Sequence, residues 1–138
     1  PHVEYREGRK GITGVFADIT ASLKPGETFY RVTSETDVEK VNTYLPVNYR
    51  DVRDKKNLQR YVIMSANAAK VKQKRLDRDL VVIPANVDDF RDNVLMTIYG
   101  HRVAYIDFNT ETSIIIENPM IADFQKKLFK LAYDSLKK

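Results

Sequence analysis

Leu95–Pro119 reads LMTIYGHRVAYIDFNTETSIIIENP, and its punctuation sets the architecture of the second half of the chain. Three strand-like runs, Leu95–Tyr99, Arg102–Phe108 and Ser113–Glu117, are separated by Gly100-His101 and by Asn109–Thr112. A two-residue link containing glycine is a hairpin signal, because glycine supplies a positive φ without steric cost. Asn118-Pro119 reads as an N-cap followed by proline at the first helical position. A terminal helix over Pro119–Lys137 follows, with Ile121, Phe124, Leu128, Leu131 and Ala132 along one side.

Upstream the pattern alternates instead. His2–Glu7 is extended in character. Over Gly8–Leu23, apolar residues at Ile12, Val15, Phe16, Ile19 and Leu23 form an amphipathic helical stripe, which Lys24-Pro25-Gly26 stops. Glu27–Thr33 is rich in strand formers. Ser34-Glu35-Thr36-Asp37 and Thr36-Asp37-Val38-Glu39 both fit a capping box, so a helix with Val38, Val41 and Leu45 inward is expected. Pro46 breaks it, and Val47–Lys56 continues as a second helical stretch. Leu58–Met64 is a strand, Ala66–Leu76 a short helix or a basic loop, and Leu80–Ile83 a buried strand by its unbroken apolar run. Alternation implies parallel strands joined by crossover helices. The expected fold is α/β: a mixed sheet, parallel in its first half, with antiparallel hairpins in its second, flanked by helices.

The 138 residues suit a single domain. With 43% hydrophobic and 30% charged residues the chain is globular, and no stretch reaches the ~20 apolar residues of a membrane span. The absence of cysteine removes disulfides, thiolate nucleophiles and cysteine-based zinc sites. Two histidines, His2 and His101, cannot make a three-histidine metal site. Composition thus points to a cytoplasmic protein with thin prospects as an enzyme. The net charge of +4 is mild but uneven: Arg50–Arg78 holds ten basic and three acidic residues, +7, leaving −3 for the remainder. A solvated face plus a basic loop is the usual meaning of such a run. The alternatives are a phosphate or nucleic-acid contact, or a seam meeting an acidic stretch such as Asp88–Asp92 on a second copy. The chain opens Pro1-His2-Val3 without an initiator Met or a signal peptide, which is the look of one domain cut from a longer protein.

Four pieces, in order along the chain, resemble the C-terminal effector domain of TrmB-type transcriptional regulators. They are Tyr5–Ile12 with Gly8 and Gly11, Tyr49–Lys56 with its arginines, Ile98–Ala104, and Ile114–Pro119 running into Lys127-Leu128-Phe129. Tyr133 departs from the family, which often has Trp there. The resemblance implies a phospholipase-D-like fold and a non-catalytic domain that senses a sugar or other metabolite and forms a homodimer. It implies no cofactor, and contact with DNA only through a winged-helix domain preceding residue 1.

Active phospholipase-D-like proteins use H-x-K-x-x-x-x-D, in which His attacks phosphorus and Lys stabilises the developing charge. Aligned on the hairpin, the three positions here are Asn93, Leu95 and Gly100, none of which supplies that chemistry. A phosphodiesterase or nuclease relic and a nucleic-acid-binding domain built on residues 50–78 are the alternatives to the regulatory reading. Asp88, Asp89 and Asp92 do not match an EF-hand spacing. For a ligand, the carboxyl ends of parallel strands are the favoured places, and these fall at Glu7-Gly8, Ser34 and Ser65. Ser34 also suits a helix cap, and the glycines suit tight packing. Arg50 and Arg53, three apart on one helix face, either bind a ligand or pair with carboxylates, pairing being the commoner outcome. His101 reads as a solvated turn residue, and Tyr99 and Tyr105 as packing or interface residues.

Overall fold

The computed structural model describes residues 1–72, 79–87 and 90–137. Its elements in chain order are β1 (His2–Glu7), α1 (Gly8–Ser22), β2 (Thr28–Thr33), α2 (Val38–Asn42), α3 (Tyr49–Lys55), β3 (Gln59–Ser65), α4 (Ala66–Lys72), β4 (Leu80–Ile83), β5 (Val94–Tyr99), β6 (Arg102–Asp107), β7 (Thr112–Glu117) and α5 (Pro119–Leu136). The seven strands form one mixed sheet in the order β1-β7-β6-β5-β2-β3-β4. β2, β3 and β4 are parallel, and every other neighbouring pair is antiparallel. The mixed α/β architecture agrees with the alternation and hairpin signals. β1 does not neighbour β2, however. It closes the far edge against β7, with Tyr5 opposite Ile114, so α1 crosses the whole antiparallel half of the sheet to reach β2.

Each face of the sheet has its own core. On one side the α1 stripe (Ile12, Val15, Phe16, Ile19, Leu23) is buried against Phe29, Leu95, Tyr99, Ala104, Ile106 and Ile115. On the other, α5 lays Ala122, Phe129 and Tyr133 over Ile63, Ile98 and Val103. Gly100 (φ +59°) makes the hairpin turn. The Asn118 side chain accepts from the backbone N–H of Met120 and of Ile121, with Pro119 opening α5.

Three expectations need correcting. β4 is an edge strand rather than a fully buried one, with Val82 exposed on it; four apolar residues in a row cannot tell these cases apart. Neither capping box forms. Asp37 caps α2 by accepting from the Lys40 N–H, and Ser34 instead clamps β2 to β5, its hydroxyl both donating to the Val94 carbonyl and accepting from the Val94 N–H. α2 ends at Asn42, well before Leu45, and a turn that buries Tyr44 follows. The α5 residues Ile121, Phe124, Leu128 and Leu131 share one side as expected, and that side faces solvent, with Phe124 64% and Leu131 70% exposed. The sheet beneath α5 presents tyrosine rings, and rings answer it: Phe129 meets Tyr30 edge-on at 5.2 Å, and Tyr133 meets Tyr61 at 5.5 Å. Such aromatic pairs add to plain area burial, while Ala122 is small enough to let the helix approach. α5 therefore carries two apolar faces.

Two contacts bind α1 to the sheet and can be tested. A Cβ at Gly11 would stand 2.7 Å from Arg6 Cβ, whereas one at Gly14 would meet only the mobile tip of the Arg6 side chain at 2.5 Å. Gly11→Ala is expected to destabilise by roughly 1–3 kcal/mol through overpacking. Gly14→Ala should be near neutral, because the guanidinium can swing away and alanine gains about 1 kcal/mol of helix propensity. Urea denaturation of the two variants separates the cases. Tyr99, buried, donates its hydroxyl to Asp18 Oδ2 at 2.7 Å. Burial first, and then the Asp18 carboxylate, push its pKa up. The folded state thus holds this proton more tightly than the unfolded chain does. Its contribution is complete below the ordinary tyrosine pKa of about 10 and is lost as pH rises above that. Tyr99→Phe should cost about 1 kcal/mol at neutral pH and should flatten the alkaline decline of the urea midpoint.

Candidate functional site

The segment between β2 and β3 builds a canopy over those two strands. Val38 and Val41 anchor α2, Pro46 turns the chain, and its carbonyl accepts from the Tyr49 N–H as α3 begins. Tyr49 is buried, edge-on to Phe16 of α1 at 5.7 Å. Beneath the canopy lies a cavity of about 270 Å³. Its floor is Arg31 of β2 with Arg60, Val62 and Met64 of β3, and its walls are Phe16, Val41, Asn42, Leu45, Tyr49, Arg50 and Arg53. Drug-sized ligands occupy roughly 300–1,000 Å³, so this space suits a small metabolite.

Four arginines line the cavity, and its described lining holds no carboxylate. Arg31 is only 7% exposed. One Nη donates to the Tyr49 hydroxyl at 3.1 Å, while its Nε–H is buried without a partner among the described residues. The Phe16 and Phe29 rings stand 5.7 Å from the guanidinium carbon, close enough for a cation–π attraction. Arginine does not deprotonate in proteins, so the floor keeps its charge at any physiological pH. A buried ion costs several kcal/mol unless well paired, and a phenol with two rings is thin compensation. On α3, Arg53 reaches Asp54 at 3.4 Å, a long contact to a carboxylate that is itself 71% exposed. Its guanidinium also lies 6.0 Å from the Tyr49 ring centre. Arg50 is exposed at the rim.

Of the residues singled out in the sequence, Arg50 and Arg53 come together here and the other four do not. Glu7 is exposed at the end of β1, and the Gly8 N–H is committed to the Glu111 carbonyl at 2.7 Å. Ser34 is the clamp already described. The Ser65 hydroxyl accepts from the Ala68 N–H at the start of α4 and borders a separate cavity of about 100 Å³ with Lys70 and Arg91. Strand order sets Glu7 and Gly8 apart, since β1 lies four places from β2; Ser34 and Ser65 end the neighbouring parallel strands β2 and β3, but their hydroxyls are engaged with Val94 and with the Ala68 N–H. The basic run divides likewise. Lys56 Nζ donates to the carbonyls of Thr20 and Leu23, closing the end of α1, while 73–78, together with Asp88 and Asp89, lie outside the described residues. Asn93 accepts from the Thr36 N–H and donates to Asn109 Oδ1, and Leu95 is core. Among the described residues no group of three or more His, Cys, Asp or Glu is placed to hold a metal ion. An aromatic groove of about 380 Å³ under α5, lined by Tyr30, Tyr61, Phe129 and Tyr133, is larger but wide open, and its rings are engaged with one another.

Sequence reasoning missed Arg31, Tyr49 and Arg60. Arg31 was within reach: alternation along Glu27–Thr33 puts it on the same face as Phe29, and an arginine on a core-facing strand position is the anomaly that marks a site.

No family model and no curated protein matches this chain. Among solved structures it superposes on TrmBL2, described as an archaeal chromatin protein with a novel mode of DNA binding, with a TM-score of 0.63 and 13% identity. The match covers 98% of this chain and 53% of that one, so the chain spans about half the length of its structural neighbour. At this identity the likeness establishes a shared fold. No described helix is long and apolar enough to cross a membrane.

A half-satisfied buried cation weighs against the empty fold. Arg31→Met, which keeps the stem and removes the charge, is expected to leave the ligand-free protein at least as stable as the wild type, and up to roughly 1–3 kcal/mol more so. A urea melt of the two proteins measures this directly.

Proposed function

We propose that this chain is the non-catalytic effector domain of a TrmB-type transcriptional regulator, phospholipase-D-like in ancestry, that senses a small ligand in the arginine-lined cavity and pairs with a second copy through α5. The observation that carries this reading is that the same two strands serve both tasks. Arg31, Arg60 and Val62 floor the cavity from one face of β2 and β3. Their neighbours Tyr30 and Tyr61 seat Phe129 and Tyr133 of α5 from the other. A ligand that shifts these strands biases the seating of the pairing helix, and a differential of that kind is what a population shift requires. The regulatory role fits the fold shared with TrmBL2, and DNA contact would fall to a separate domain. Asn93 and Leu95, committed to a loop bridge and to the core, support the non-catalytic part.

Pairing is argued from α5 itself. Ile121, Phe124, Leu128 and Leu131 follow the i, i+3, i+7, i+10 spacing of a coiled-coil seam, on the side of the helix away from Ala122, Phe129 and Tyr133. Close by in the same sheet layer, Tyr5, Ile114 and Tyr105 are register neighbours left exposed beyond the reach of α5. With Val3, these make eight apolar or aromatic residues, each between 36% and 70% exposed, a contiguous surface of the kind that marks a contact with a partner. A second copy presents the same seam, so the contact closes as a two-fold pair.

Light scattering tests it. The wild-type chain is expected to be dimeric at micromolar concentration, and Phe124→Glu monomeric with an unchanged far-UV spectrum. A wild type that stays monomeric across the concentration range sinks the pairing reading.

A further inference from the structure

We propose that the cavity over β2 and β3 takes a small organic anion, a phosphorylated or carboxylated metabolite, rather than a neutral sugar. This rests on the reading of the cavity as a ligand site and adds the chemical class. The argument is one of donors and acceptors. A sugar hydroxyl both gives and takes hydrogen bonds, so a neutral-sugar site mixes carboxylates and amides with donors. The described lining here is overwhelmingly donor. Guanidinium groups donate and never accept, and apart from backbone groups the acceptors are the Asn42 amide and the Tyr49 hydroxyl, the latter already taken by Arg31. A ligand that matches a donor-rich wall is one that only accepts, which describes an oxoanion.

Arg31 supplies the independent sign. The residue is more than nine-tenths buried, its Nε–H is buried and lacks a described partner, and it sits on the cavity floor. An oxoanion there would complete the fork with a charge-assisted hydrogen bond and neutralise the buried charge. Arg53 and Arg50 stand at the α3 wall and rim, placed to meet a second negative group or the remaining oxygens of a phosphate. Between these poles Phe16, Leu45 and Met64 offer apolar wall to a carbon skeleton.

The test is calorimetric and thermal-shift titration of the 138-residue chain with inorganic phosphate, glucose 6-phosphate and citrate, with glucose as the neutral control, each up to about 10 mM, where a ligand at ten times its Kd raises the melting temperature by a few degrees. At least one anion is expected to bind, and its affinity should fall as NaCl rises. Arg31→Met and, independently, the more exposed Arg53→Gln should each weaken it about tenfold or more, the latter without any concern for the core. A response to phosphate and glucose 6-phosphate identifies a phosphoryl ligand, and a response to citrate alone a carboxylate. If glucose binds and neither arginine variant changes it, the anion assignment is overturned while the ligand-sensing reading stands. If none of the four compounds binds, both fall.

Discussion

β2 joins the two halves of the sheet, and the rest of the molecule depends on that join. One edge is antiparallel to β5 and the other parallel to β3, so every hydrogen-bonded path from the hairpins to the crossover half runs through its six residues. The Ser34 clamp on Val94 fixes where the two halves meet, and Thr97 reinforces it by donating its hydroxyl to the Tyr30 carbonyl. A strand in that position is covered on both faces, so each of its side chains must be satisfied by a different layer.

It is in this strand that the chain places an arginine. Phe29 and Thr33, to either side of it on the same face, have nothing exposed. Arg31 is held between two aromatic rings and one phenol, with no carboxylate opposite it among the described residues. A structural role would be served better by an apolar residue of similar volume. Retaining a charge at a cost in stability is what a site for an oppositely charged group looks like. The canopy of α2 and α3 completes the case, since it roofs the arginine without supplying its counter-charge.

Much of the architecture was legible in the sequence because periodicity is local. The stripe of α1, the Gly100 turn and the Asn118-Pro119 start of α5 each follow from a few neighbouring residues and appear in the structure as read. The site was legible only in part. Arg50 and Arg53 could be placed on one helix face from their spacing. That this face would roof β2 and meet Arg31 and Arg60 depends on how α3 is laid over two strands that flank it in the chain, which no local pattern encodes. Of the strand-end candidates, Ser34 and Ser65 do end neighbouring parallel strands, whereas Glu7 and Gly8 lie at the far edge of the sheet, because strand order does not follow from strand direction.

α5 marks the boundary between the two kinds of knowledge. Its sequence determined that a helix forms, where it starts and which residues share a side: Ile121, Phe124, Leu128 and Leu131 on one, Ala122, Phe129 and Tyr133 on another. Both sides are apolar, so hydrophobicity alone could not say which would be buried. The tertiary structure decided, because Tyr30 and Tyr61 had been brought together by the β2–β3 pairing and presented a ringed surface that Phe129 and Tyr133 fit. Periodicity states which side chains travel together, whereas shape complementarity with a surface assembled from distant segments states which of them are covered.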